Sequence, residues 1–590
     1  MRASFSASTL LQHLVLPGLL GYLGSVNARS DNPSPEDFVR RALHTATVLG
    51  NYFYFDGGEI SQYENGKLDR VSNPVNSTLS IDISSSWSID NVEIRTIEKP
   101  QEIPVKSRGY MWTDTAKQEF YTWGGYWPYT YKKSDYDYVP MFNFKADGKG
   151  GGTWSIVEMA DPNMLKSLRP TEMGAPVQVN NTAFLIGGQW NNLTDKRVPT
   201  GPSRSVPGLM TWDFQTRKIQ NSTSPDFSPF GSETRIGGSA LYVPSFGPNG
   251  IVFVMGGHSP PVDRAYNIYD TKALSLSNLT FFDPVTREPF TQTTTGDAPK
   301  FPRRAFCTVG FETRGGYDIF LFGGDNIVGK VRYDDAYMLS LPAFHWIKLP
   351  SSSKGLRAYH TCTRVGKRQV LTIGGNFEDG NWKEPDPARR GLQLFDMSAL
   401  EWKNNYDADA PPYERADTVK ALYENGSAAD LQWSSEKVQQ MFAVQNPPTP
   451  DPPTPSTTFS PKTSAEGTKS SNVTPVGAIA GGVVGGVVGM ALIAILAWLL
   501  FRKRRRQESS KSKLDQHELG AFDELKEGGN IHMMPTNMSS HEMSTERPVG
   551  ELPACSKNPP ASRPRVRESY MPPGAIELDA GYTGLTSNQG

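Results

Sequence analysis

Six times along the chain a short apolar run, rich in aromatic and β-branched residues, ends in two glycines. The runs are 52–58 (YFYFDGG), 120–125 (FYTWGG), 183–188 (AFLIGG), 252–257 (VFVMGG), 319–324 (IFLFGG) and 370–375 (VLTIGG). Runs of this length and composition, bounded by glycine, predict strands. Upstream of each pair a partner strand is expected. The clearest leads are Arg41-Ala42-Leu43-His44, Arg357-Ala358-Tyr359-His360 and a degenerate Arg304-Ala305-Phe306-Cys307, with Arg108 and Arg235 in comparable places. Downstream, a third element ends near a large side chain. Trp154, Trp346 and Trp402 play this part in three units, and Ile219 and Phe290 in two others.

A unit that recurs in register predicts a repeat architecture. A small twisted sheet cannot bury both faces alone, so such sheets pack radially and leave only short edges. The glycine pairs are expected to end an inner strand, where crowding near the axis leaves no room for side chains. Tryptophans would fill the gaps between neighbouring sheets, and arginines would tether the loop of one to the next. On these motifs residues 36–405 resemble the kelch-repeat family, in particular membrane-anchored fungal kelch-repeat or galactose-oxidase-like propellers. The resemblance implies an all-β, kelch-type β-propeller. Six blades can be counted, and 406–445 or the long stretches between repeats leave room for a seventh.

The ends of the chain read differently. An apolar run at 10–23 follows a single early cation, Arg2, and precedes Val26-Asn27-Ala28, whose small side chains suit cleavage after Ala28. This predicts a signal peptide over 1–28, the run being too short to span a bilayer. The propeller with a C-terminal extension is assigned to 29–445, and a Pro/Thr/Ser-rich stalk to 446–475. Residues 476–501 carry no charge and meet Arg502-Lys503-Arg504-Arg505-Arg506 directly. That pattern predicts one transmembrane helix with the N-terminus outside the cell and the C-terminus inside. Gly477, Gly481, Gly485 and Gly489 share one face of that helix, which suits homodimer contact. The polar tail 502–590 is expected to be disordered. It repeats Glu-Leu-X-Ala at Glu518, Glu551 and Glu577 and carries a tyrosine-based sorting pattern at Tyr582, so a cytoplasmic partner is a candidate.

Composition narrows the chemistry. Lys and Arg total 60 against 61 for Asp and Glu, which gives no support to nucleic-acid binding. Sequons at Asn76, Asn180, Asn192, Asn221, Asn278, Asn425 and Asn472 fall on the outer side and fit a plasma-membrane or cell-wall-associated glycoprotein. Of three cysteines, Cys307 and Cys362 occupy neighbouring repeats and suit a disulfide in an oxidising compartment, with buried free thiols as the alternative. His44 and His360 share one repeat position, which is read as structural; His345 precedes an interblade tryptophan. No metal, cofactor or catalytic residue is assigned. Just after the glycine pairs stand Glu59, Tyr126, Trp127, Gln189, Trp190, His258, Asp325, Asn326 and Asn376. Their aromatics, amides and acids are the candidate ligand-binding set, for an extracellular glycan or protein. The alternative is a membrane-tethered galactose-oxidase-like oxidoreductase, which would need a cluster of His, Tyr and Cys that breaks the repeat.

Overall fold

The computed structural model describes residues 30–447 apart from 69–71, 129–137, 223–233, 352–353, 377–381 and 427–430. The signal peptide, the stalk from 448 onward, the apolar span 476–501, the tail and Asn472 lie outside the described residues. Among the described residues no helix is long and apolar enough to cross a membrane.

The repeated pattern folds as six sheets among the described residues, each made from one stretch of chain; all have four antiparallel strands, and the fifth adds a short parallel edge strand, Thr295–Gly296. Their first strands are Thr45–Leu49, Tyr110–Asp114, Ala175–Val179, Ser239–Val243, Cys307–Thr313 and Thr361–Val365. Each first strand packs beside the first strand of the next sheet, and the sixth packs beside the first. The ring therefore closes, and the architecture fits a kelch-type β-propeller. The glycine pairs end the second strand of each sheet, one place out from the axis, rather than the innermost strand. The segment from 406 onward forms no further four-stranded sheet among the described residues. Asn405–Tyr406 instead pairs with Trp87–Ser88 in the first sheet's outer connection, and two short helices follow at Asp417–Glu424 and Glu436–Ala443.

The pairs have a single, sixfold role. The N–H of the second glycine donates to a backbone carbonyl that leads into the next sheet: Gly58 to Lys106, Gly125 to Thr171, Gly188 to Arg235, Gly257 to Arg303, Gly324 to Arg357 and Gly375 to Arg41, at 2.7–2.9 Å. The first glycine lies against the same carbonyl. A Cβ on Gly57 would stand 2.4 Å from Lys106 O, and one on Gly374 2.3 Å from Arg41 O. Both glycines also adopt positive φ, which L side chains resist. Gly374→Ala, at the seam that closes the ring, is expected to cost about 1–3 kcal/mol from backbone strain alone. A denaturant melt would show it as a lower midpoint; an unchanged midpoint would remove this role.

The lead-in segments align by their backbone. Leu43, Arg108, Met173, Ala305 and Tyr359 each have φ between 53° and 69°, and Gly237 matches them at 66°. This register sets Arg303, not Arg304, opposite Arg41, Arg235 and Arg357, and Phe306, not Cys307, opposite His44 and His360. The buried arginines hold their own sheet's outer loop. Arg303 bonds Gly323 O and Asp335, and Arg357 bonds Gly374 O and Asp386. Neighbouring sheets are joined chiefly by backbone, with the buried Arg40 adding side-chain bonds to Gly375 O, Glu384 O and Pro385 O across the closing seam.

Tryptophans of the fourth strands fill the gaps. The Trp154 indole packs edge-on against Phe120 and Phe144 and donates to Thr78 of the first sheet at 3.0 Å. Trp346 reaches back to Leu276 O and Trp402 to Pro350 O. The C-terminal strap is bound by the same kind of packing. Phe442 meets Phe246, Phe281 and Phe344 with ring centroids 4.8–5.6 Å apart.

Candidate functional site

The six left-handed lead-in residues meet at the axis. Leu43 N–H donates to Tyr359 O, Tyr359 to Ala305 O, Ala305 to Gly237 O, Gly237 to Met173 O, and Arg108 to Leu43 O, at 2.7–3.1 Å. These five bonds run as an arc of amides from Arg108 round to Met173 at the end where the glycine pairs finish. Where four of the six residues are apolar or glycine, Arg108 and Tyr359 add a cation and a phenol. The Arg108 guanidinium lies 4.3 Å from the Tyr359 ring centre and 5.5 Å from that of Tyr126. It also pairs with the buried Glu172 at 3.1 Å.

Around it runs a polar chain. Tyr126 OH donates to Glu59 at 2.9 Å, as does Ser107 Oγ at 3.2 Å. Gln189 Nε2 donates to Glu172 at 3.1 Å, and Tyr266 OH donates to Gln189 Oε1 at 2.7 Å. Burial first, and the Glu59 carboxylate second, push the Tyr126 hydroxyl well above its ordinary range, so it stays a donor. Arg304, on the far side of Tyr359, is paired with Asp325 at 2.9 Å.

Of the nine sequence candidates, Glu59, Tyr126 and Gln189 thus join one network. Its other members, Arg108, Glu172, Tyr266 and Tyr359, come from lead-ins and loops that the motif pattern did not mark as binding residues. The remaining six are placed otherwise. His258 is wholly buried, and its Nδ1 shares a hydrogen bond with Thr271, so it does not reach the axial opening. Trp127 is buried beneath Lys106, whose ammonium lies 3.1 Å from the ring centre. Asp325 is buried in its ion pair, and Asn326 closes its own hairpin by accepting from Gly329 N. Asn376 is buried with neither amide atom partnered among the described residues. Trp190 is half-buried, 5.5 Å from the Arg169 guanidinium. Of the sequons, Asn76, Asn180, Asn221, Asn278 and Asn425 are exposed and Asn192 is half-buried.

His44 stands at the seam between the sixth and first sheets, with Nε2 3.0 Å from Thr361 Oγ1. Burial, with the nearby Arg41, lowers its pKa from 6.5 to about 3. The unfolded chain therefore binds the extra proton between these values, so stability rises with pH there and is lost as the pH is lowered. Going from pH 7 to pH 5 is expected to remove about 2 kcal/mol through this group. His44→Gln should flatten the dependence in melts across that range; an unchanged slope would contradict it.

Two further features frame the site. An axial cavity of about 480 Å³ lies toward the far ends of the first strands, lined by Thr47, Thr113, Gln178, Tyr242, Glu312 and Arg364 among others. The exposed large apolar side chains gather at the opposite end. Leu193, Val262, Phe301, Val328 and Leu356 lie on loops there, Tyr269 in a short 3-10 turn and Val331 in a two-residue strand, with Tyr269 66% and Phe301 57% exposed. Val285 and Val444 lie away from it, and Ile156, 45% exposed, ends the outer strand of the second sheet.

A closed ring of antiparallel sheets, stapled by glycine pairs and gapped with tryptophan, defines a β-propeller as the class of this domain, and its repeat fits the kelch type. Comparison with known proteins agrees. A kelch repeat-containing protein of Arthroderma benhamiae is 24% identical over 458 residues, covering 68% of this chain and 64% of that protein. The chain thus spans somewhat less than two thirds of that relative's length. No family model matches.

Proposed function

We propose that this chain is a single-pass, glycosylated surface protein whose six-bladed propeller recognises a protein ligand through the end where the glycine pairs finish. Residues 476–501 are proposed as its membrane anchor and 446–475 as the linking stalk. The observation that carries the reading is the concentration of exposed apolar side chains on the loops of that end, around the Arg108–Tyr126–Tyr359 cluster. Monomeric domains rarely expose such groups together unless they are covered by a partner. Aliphatic residues outnumber aromatic platforms there, which favours a protein surface over a sugar ring. The polar network beneath the loops keeps them in place, since every member holds another.

The test uses the full chain in lipid nanodiscs, probed against arrays of purified secreted proteins and of wall polysaccharides. Metal content and turnover of simple alcohols and sugars are measured on the same sample. Saturable binding to a protein, without turnover, is the expected result. Stoichiometric copper or iron with oxidation of a sugar or alcohol would replace this reading with the enzymatic one.

A further inference from the structure

Cys307 opens the axial strand of the fifth sheet, and Cys362 stands second in that of the sixth. The two are joined as a disulfide with Cα atoms 5.6 Å apart. His360, just ahead of the sixth sheet's first strand, places Nε2 3.1 Å from Cys307 Sγ. The three donor atoms lie within 4.8 Å of one another. His360 is held in place on two sides. Its ring packs edge-on against Phe322 at 5.2 Å, and a Cβ on Gly323 would come within 2.9 Å of it. Cys307 and His360 are buried, while Cys362 is half-buried. Cys362 shares its strand face with Arg364, which lines the axial cavity. Cys362, the less buried of the pair, is the sulfur a small reductant reaches first.

We propose that the reduced pair, together with His360, is a binding site for a soft, low-coordinate cation, Cu⁺. A dithiol supplies the two electrons. One of its thiolates attacks Cys362 Sγ, the Cys362–Cys307 bond breaks, and Cys307 leaves as a thiolate beside His360. The second thiol of the reductant then attacks the mixed disulfide, leaving as a cyclic disulfide and freeing Cys362. Cu⁺ takes both sulfurs and His360 Nε2, and the thiol protons pass to solvent. Thiolate donors favour soft ions, Cu⁺ and Zn²⁺ among them, over hard ones. Zinc completes a tetrahedron, and the cluster offers three donors, with His44 Nε2 turned instead to Thr361. The cation would rejoin the two axial strands that reduction separates.

The test uses the full chain carrying Cys555→Ser, so that its only thiols are this pair. It is reduced with dithiothreitol, freed of reductant without oxygen, and titrated with Cu⁺ against bicinchoninate. The expected result is one Cu⁺ retained per reduced chain and none by the oxidised chain, with two sulfur and one nitrogen neighbours in X-ray absorption. His360→Asn should lose the nitrogen. Cys307→Ser with Cys362→Ser should bind no copper yet keep a cooperative melt. Equal retention by oxidised and reduced chains, a single sulfur neighbour, retention of Zn²⁺ in place of Cu⁺, or loss of the melting transition on reduction would each overturn the assignment.

Discussion

Replacing Arg357 with alanine is expected to destabilise the propeller by about 3–5 kcal/mol. Arg357 and Asp386 are both buried, and they pair at 2.9 Å. The guanidinium also donates to Gly374 O, Gly391 O and Lys354 O. Truncation would leave a buried carboxylate without its cation, keeping only the Ala388 amide, and would take from Gly374 O its guanidinium donor. The damage falls on the seam that closes the ring, because Gly375 next door is the donor to Arg41 O. A double-mutant cycle with Asp386→Ala separates the pair from its surroundings. The coupled loss should be smaller in the double variant than the sum of the singles. A midpoint within experimental error of the parent chain would show that this arginine is dispensable.

The second large effect is expected at Asp318, on the second strand of the fifth sheet. It is wholly buried and accepts from Ser340 Oγ at 2.6 Å, Tyr413 OH at 2.7 Å and Arg415 Nε at 2.8 Å. Tyr413 and Arg415 belong to the C-terminal strap, so this one carboxylate latches the strap to the ring. Burial, followed by Asp318, holds the Tyr413 hydroxyl far above its ordinary range, so it remains a donor at all physiological pH. Asp318→Ala removes the only anion facing the strap's Arg415 in the described contacts, at an expected cost of about 3–5 kcal/mol. Limited proteolysis adds a spatial readout. Cleavage should accelerate within 407–447 before the sheets open, whereas cleavage spread evenly over the chain would contradict the latch.

The sheets were legible in the sequence because their signal is local. A glycine at positive φ against a carbonyl admits no other residue without strain, so each pair announces itself. The register of the lead-ins was less legible. Ala305, Met173 and Arg108 adopt the same left-handed backbone as Gly237, and nothing in their chemistry advertises it. The motif reading therefore slid the fifth lead-in by one, matching Cys307 to His360 where Phe306 stands. Half of the network at the axis followed the same division. Glu59, Tyr126 and Gln189 were visible as the residues after the pairs, since each bridges its own lead-in. Arg108 and Glu172 meet only because the ring brings successive lead-ins together. His258 and Trp127 occupy the same kind of position, but their side chains turn inward, a difference set by packing. The strap helices have short apolar stripes whose partners, such as Phe246 and Phe344 for Phe442, lie 196 and 98 residues away.

The most direct test of the recognition surface is to charge each end of the ring in turn and measure ligand binding by the full chain. Phe301→Asp with Val331→Asp alters the end bearing the exposed apolar loops, and Val285→Asp with Val444→Asp alters sites away from it. The account predicts at least a tenfold loss of affinity, about 1.4 kcal/mol, for the first pair and none for the second, with both proteins melting like the parent. Equal affinity in the first pair, or loss confined to the second, would place recognition elsewhere on the molecule.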